Sequence, residues 1–250
     1  MGHLKNILKK FIGIDTGFSY NFYKNGEYDL IKKISKLKFN TLFDVGAHHG
    51  GWSLIANKFF PKSKIHTFEI SESNYKKSLD NLKKDSFIVN NFGFSNKRGI
   101  IEYKDYGSDS QGNTTILESE FHDTNINYNL KKTSVKTGDN YCEEKNINYI
   151  DFLKIDTEGC EHLVLEGFKN ILQKGNVRLI QFEYGYANGD AKFLMKDFFN
   201  FFKKHNYIVA KLRKEIKFEK WNYSFNDFKS GPNYIAIKED DEEIKSLLEN

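Results

Sequence analysis

Arginine, proline and cysteine are all scarce in this chain. Of 250 residues, only Arg98, Arg178 and Arg213 are arginine, so the net charge of +4 rests on lysines dispersed among 34 acids. Guanidinium is the group suited to bidentate phosphate and base recognition. Without it, and without a massed basic face, a nucleic-acid partner is not expected. The two cysteines, Cys142 and Cys160, form no C-x-x-C spacing. That excludes a disulfide framework and a cysteine-rich zinc module, and a reducing cytoplasm is the simplest setting. No apolar run reaches the roughly 18 residues needed to span a bilayer. The opening "MGHLKNILKKFIGI" lacks a secretory leader's long apolar stretch and small-residue cleavage site, and reads as a short amphipathic helix.

What the chain has is apolar and aromatic mass, 39% and 16%. That suits one large α/β domain over residues 1–250, with a helical cap over 1–38. In "EYDLIKKISKLK", Leu30, Ile31, Ile34 and Leu37 recur at helical spacing. "NTLFDVGAHHGG" reads as strand, acid and glycine loop, followed by the helix "WSLIANKFF", which stops at Pro61. "KIHTFEI" is a second strand, and the next helix has Ser71 as its N-cap. "SFIVNNFGFS" is a third strand and its exit.

"GIIEYKDY" is a strand, and 105–130 is a polar insertion of a length that is usually functional. "IDFLKID", "GCEHLVLEGFKNIL", "VRLIQFEYG" and "KFLMKDFFNFFKKH" then alternate strand and helix. "NYIVAKLR" and "NYIAIKE" form a closing pair of strands around an aromatic loop over 212–232. The alternation predicts an α/β fold: a mainly parallel sheet with helices on both faces and an antiparallel hairpin at its edge.

In such sheets ligands bind beyond the carboxyl ends of the strands. The first strand ends in Asp44, Gly46, Ala47, His48 and Gly50. Glycines allow close backbone approach, and the following helix N-terminus favours negative groups. The second strand ends in Glu69, about 20 residues on, where an acid takes ribose hydroxyls. Ile70, Asn91 and Phe92 complete the expected cofactor set. A nicotinamide dinucleotide is one candidate, but its G-x-G-x-x-G is missing. S-adenosylmethionine (SAM) fits better, with its ribose at Glu69, its amino group near Asp44 and Gly46, and its carboxylate on the loop.

"FDVGAHHGGWSL", "FEI" and "IDFLKIDTEGCEHLVLEGF", in that order, resemble the FkbM-type SAM-dependent methyltransferases over roughly residues 40–185. The resemblance implies a class I methyltransferase (Rossmann-like) fold, with a seven-stranded sheet whose last strand is antiparallel. It also implies methyl transfer, commonly to oxygen, on sugars, glycans or secondary metabolites. Three positions depart from the family pattern. His48 stands for asparagine and His49 for an apolar or small residue, which bears on the SAM carboxylate contacts. Gly138 stands for leucine, which is expected to weaken local packing.

Methyl transfer from a sulfonium needs in-line alignment, and a hydroxyl acceptor needs its proton taken. Asp156 ends the fourth major strand and Glu158 follows it. Lys154 leaves the same strand face as Asp156, so the two can pair, as a structural ion pair or a catalytic one. Gln181 and Glu183 share a face of the next strand. Glu161 and His162 open the following helix, where an acid also complements the dipole.

His48 and His49 point different ways as neighbours, so no metal site is expected, although a single histidine could serve as base. The insertion, with Trp221 and Tyr223 of the aromatic loop, is expected to hold the acceptor. The expected activity is O-methylation of a sugar or sugar-containing precursor, free or nucleotide-activated, in bacterial surface-polysaccharide synthesis. N-methylation of a small molecule or amino sugar and a non-catalytic SAM-binding module are the alternatives, and a homodimer is one open oligomeric state.

Overall fold

The computed structural model describes residues 21–107, 113–116, 127–213, 216–220 and 233–249. The expected N-terminal helix before residue 21, most of the insertion, and Trp221 and Tyr223 lie outside the described residues.

Eleven strands occur among the described residues: β1 (Thr41–Val45), β2 (Lys64–Phe68), β3 (Phe87–Asn90), β4 (Gly93–Phe94), β5 (Gly99–Asp105), β6 (Asn129–Lys136), β7 (Ile150–Ile155), β8 (Val177–Glu183), β9 (Tyr207–Lys211), β10 (Phe218–Glu219) and β11 (Asn233–Lys238). The main sheet runs β10-β9-β11-β8-β7-β1-β2-β3. Strands β3, β2, β1, β7 and β8 are parallel. β11 is antiparallel to both β8 and β9, which makes the expected seven-stranded arrangement. The expected hairpin of β9 and β11 closes that end of the sheet. One detail differs from expectation: the two-residue β10 adds an eighth strand outside β9.

The central position of β7 explains its composition. All six residues of "IDFLKI" are buried, as a parallel strand covered on both faces requires. Successive side chains alternate faces, so two cores form. Phe43, Leu153, Phe168, Phe182, Phe198 and Phe202 fill one side. Leu30, Ile31, Leu42, Trp52, Phe152 and Leu179 fill the other. Each fully buried side chain of this size contributes roughly 1.5–3 kcal/mol.

The helix Glu27–Ile34 is shorter than its periodicity suggested. It places acids in its first turn and Lys32 and Lys33 in its last, in the sense its dipole favours. It stops where Ser35 Oγ donates to the Lys32 carbonyl at 2.7 Å. The expected cap at Ser71 is present, accepting from Asn74 N at the start of the helix Glu72–Asn81. The helix after β7 breaks at Phe168 into Glu161–Gly167 and Lys169–Gln173.

A closing helix, Glu242–Glu249, lay outside the expected pattern. It buries Ile244 and Leu248, and Lys33 Nζ donates to the Leu248 carbonyl at 3.0 Å. Arg178 ties the segment down by donating to Asp241 at 2.6 Å and Glu243 at 2.5 Å.

A second sheet, β4-β6-β5, carries the insertion. β6 begins at Asn129, inside the span read as insertion, and buries only Thr133 and Val135. Gly138 does not leave a gap. The Phe168 ring occupies its side-chain space, since a Cβ there would lie 2.3 Å from that ring. Restoring leucine at Gly138 should therefore overpack the core and destabilise by about 1–3 kcal/mol. Denaturant unfolding measures this, and a stabilised Gly138→Leu variant would refute the packing.

Candidate active site

The strand register sets a polar row across the sheet. Asp44 of β1 pairs with Lys154 of β7, which pairs with Gln181 of β8. The Lys154 ammonium lies 3.2 Å from Asp44 Oδ1 and 3.2 Å from Asp156 Oδ2. It also donates to the Gly46 carbonyl at 3.4 Å. Two carboxylates and one carbonyl of the protein therefore surround the ammonium. Asp44 is fully buried, and Ser53 Oγ donates to its other oxygen at 2.8 Å. Burial opposes the Lys154 charge, but Asp156 and Asp44 hold its pKa above the ordinary lysine value. Burial likewise pushes the Asp156 carboxyl up, yet Lys154 and a hydrogen bond from Glu183 keep it below the ordinary aspartate value.

The glycine loop is pressed onto this row. Gly46 has φ +78°, and a Cβ there would lie 1.7 Å from the Asp156 carbonyl oxygen. Only glycine fits. The Gly46 and Ala47 N–H groups donate to the Phe68 carbonyl at 3.0 Å each. His48 adopts φ +49°, which directs its N–H to Glu69 Oε2 at 2.8 Å. The Ser71 N–H donates to Glu69 Oε1 at 2.8 Å. Two backbone bonds thus fix the Glu69 carboxyl, and burial pushes its pKa to about 7. The same His48 conformation stacks the His48 and His49 rings at 3.6 Å, contrary to the expectation that neighbours diverge.

The turn after β7 is stapled by Glu161, which is 0% exposed. Its Oε1 accepts from Thr157 N at 2.8 Å, Thr157 Oγ1 at 3.0 Å and Gly159 N at 3.3 Å. Its Oε2 accepts from Asn188 Nδ2 at 2.7 Å. Glu161 is therefore a structural clamp, beyond any service to the helix dipole. The turn holds Glu158 at φ +53°, and Thr114 Oγ1 of the insertion donates to its carbonyl at 2.9 Å.

One carboxylate oxygen each from Asp156, Glu158 and Glu183 lies within 4.8 Å of the others. These are the described residues that could hold a cation, rather than the two histidines. Their protonation is staggered. Burial first, then the Asp156 charge, raises Glu158 to about 8 and Glu183 well above the ordinary range.

These groups face one cavity of about 920 Å³. Gly46, Ala47, His48, Glu69, Ile70, Lys154, Asp156, Glu158 and Glu183 line it. Four of the expected cofactor residues and His162 do not. Asp44 lies beneath it in the ion pair. Gly50 is the αL N-cap of the helix Gly51–Phe59. Asn91 pins the loop by donating to the Glu69 carbonyl at 2.8 Å. Phe92 packs on Phe68 and Phe94. His162 stacks on Phe193, and burial lowers its pKa.

Sequence reasoning missed Glu27, which reaches the cavity wall from the N-terminal helix. It accepts from Gln181 Nε2 at 2.8 Å and Asn233 Nδ2 at 3.1 Å. No local pattern marks partners so far apart in the chain. An anchored Glu69 carboxyl turned to a roomy cavity fits the ribose of SAM.

The fold, glycine loop and strand-end acids define a class I methyltransferase. A family model described as the methyltransferase FkbM domain matches residues 44–209. The chain belongs to the FkbM methyltransferase family. No curated protein matches it.

Among solved structures, it resembles methyltransferase FkbM from Methylobacillus flagellatus KT at 12% identity and TM-score 0.51. That match covers 80% of this chain and 44% of the other, so this chain spans less than half that protein's length. Precorrin-6y C5,15-methyltransferase from Geobacter metallireducens GS-15 matches at 14% identity and TM-score 0.43, covering 90% and 96%. TrmK of M. capricolum, solved with S-adenosylhomocysteine, matches at 16% and 0.39, covering 83% and 65%. No helix among the described residues is long and apolar enough to cross a membrane.

The raised Glu69 pKa has a testable sign. Below about pH 7 the carboxyl is neutral and loses acceptor capacity, while the cofactor carries a sulfonium charge. SAM affinity measured by calorimetry should therefore rise as pH increases through about 7, and Glu69→Gln should flatten that rise. A pH-independent affinity in the wild type would place the ribose elsewhere.

Proposed function

We propose that the chain transfers the methyl of SAM to a hydroxyl of a sugar or sugar-containing precursor, nucleotide-activated forms included. The observation that carries this is the rim where Asp156, Glu158 and Glu183 converge. When bound, SAM supplies an electrophilic methyl on a positively charged sulfur. Everything else falls to the protein. Asp156, held ionised by Lys154, accepts the hydrogen bond of the incoming hydroxyl and orients its oxygen. Lys154 acts through Asp156, with which it is paired at 3.2 Å. Glu158, with its pKa pushed to about 8, titrates in the range where a general base works best. Glu183 supplies the proton that Asp156 shares, and so keeps a third negative charge off the rim.

The acceptor side supports a polyol. Asn113 and Thr115 of the insertion, Ser95 and Asn96, and Asn188 all line the same cavity. They bring hydroxyl and amide groups to a wall that also holds the apolar Phe22, Ile101, Val135 and Leu163. The polysaccharide setting rests on the family resemblance, and a cytoplasmic site of action on the two cysteines that form no disulfide framework. Transfer to an amine is the second reading. The acid-rich rim favours it, since an ammonium would be attracted there before it loses its proton.

Asp156→Asn should lower kcat by at least about 10²-fold while leaving the SAM KM within a few-fold. Transfer of labelled methyl from SAM to panels of neutral sugars, nucleotide-linked sugars and amines gives the rates and the acceptor class together. Near-normal turnover by Asp156→Asn would remove Asp156 from the chemistry. Labelling of amines alone would replace the hydroxyl reading.

A further inference from the structure

The turn after β7 carries Glu158 in the left-handed region, at φ +53°. Residues other than glycine seldom adopt that conformation, and it persists only where the surroundings over-determine it. From below, Glu161 binds the N–H groups of Thr157 and Gly159. The Glu158 carbonyl is held from the other side, by the insertion.

Residues 114–116 lie across residues 158–160 with three contacts. Thr114 Oγ1 donates to the Glu158 carbonyl at 2.9 Å. The Ile116 side chain packs on Gly159, where a Cβ would lie 2.5 Å from Ile116 Cδ1. Thr115 Oγ1 and Cys160 Sγ are 2.6 Å apart. Thr114 is itself held firmly and is 1% exposed. Its carbonyl accepts from Lys104 N at 2.9 Å, in an antiparallel bridge to β5. Its Oγ1 also accepts from Ile116 N at 3.1 Å. A hydroxyl has one donor, and this one is spent on Glu158. Asn113 and Thr115 line the cavity but Thr114 does not, so its effect runs through the turn.

We infer that Thr114 is a positioning residue for methyl transfer: its hydroxyl holds the Glu158 peptide in the left-handed conformation that brings the Glu158 carboxyl to Asp156 and Glu183. This rests on the reading of Glu158 as part of the reacting rim. Without the hydroxyl the peptide is free to relax, and a reacting group misplaced by about 1 Å can cost about 10²-fold in rate.

Thr114→Val removes the hydroxyl at nearly constant shape, and Thr114→Ser keeps it. Transfer of labelled methyl from SAM to the panel of neutral sugars, nucleotide-linked sugars and amines gives kcat. Thr114→Val should lower kcat at least about tenfold, with an unchanged KM for SAM and an unchanged calorimetric affinity for S-adenosylhomocysteine. Thr114→Ser should restore the rate. In ¹⁵N-labelled protein, the Glu158 HN–Hα coupling, which reports φ, should change in Thr114→Val and hold in Thr114→Ser. A wild-type rate or an unchanged coupling in Thr114→Val overturns the inference. Equal loss of rate and S-adenosylhomocysteine affinity, or no rescue by Thr114→Ser, overturns it too.

Glu158→Gln separates the two readings. If it keeps the wild-type rate, the role of Glu158 falls and the inference with it. An impaired Glu158→Gln beside an unimpaired Thr114→Val removes Thr114 alone. The coupling is read without any acceptor, so it decides the contact even where no member of the panel is labelled. Should Thr114→Val fail to fold, Thr114→Ala, which removes the hydroxyl and adds no bulk, is read the same way.

Discussion

One buried ammonium holds the centre of this molecule together. Lys154 sits between Asp44 and Asp156, 3.2 Å from each. Taking such charges out of water costs several kcal/mol per ion, and only mutual pairing with further hydrogen bonds offsets it. The offset here comes from Ser53 on Asp44, the Gly46 carbonyl on Lys154 and Glu183 on Asp156. Those partners belong to a helix, a glycine loop and a neighbouring strand. The register of β1, β7 and β8, the position of the loop and the ionisation of the rim are consequently one arrangement. A register slip would turn Lys154 to the opposite face, into the phenylalanine-rich core.

The rim that results is graded in charge. Asp156 stays ionised because of its neighbours, and its negative charge, added to burial, drives Glu158 and Glu183 toward their neutral forms. Like charges brought this close cannot all persist in a partly buried site. The outcome is an ionised acceptor beside carboxyls that can hold or release a proton, facing the position assigned to the sulfonium. Glu161 contributes from below by fixing the turn that carries Glu158.

Much of this was legible in the sequence because it is local. Strand–loop–helix alternation, the glycine loop, the acid ending β2 and the Lys154-x-Asp156 spacing are short-range patterns, and they yielded the sheet and the cavity's main walls. What stayed hidden depends on distant contacts. Glu27 meets Gln181 and Asn233 across the fold. Glu161 looked like a helix-dipole acid until Asn188 closed on it. β6 buries two side chains among lysines, so its alternation is faint. Gly138 looked like lost packing because the Phe168 ring that fills its place is thirty residues away. Asp44 was read as a cofactor contact, whereas Lys154 and Ser53 hold it below the cavity floor.

The dependence on Lys154 is most directly read from the Asp156 carboxyl itself. In a ¹³C NMR titration of side-chain carboxyls, Asp156 should titrate below the ordinary aspartate range, while Glu158 titrates near pH 8. An Asp156 carboxyl that titrates at or above the ordinary range would contradict the ion-pair arrangement on which the site is built.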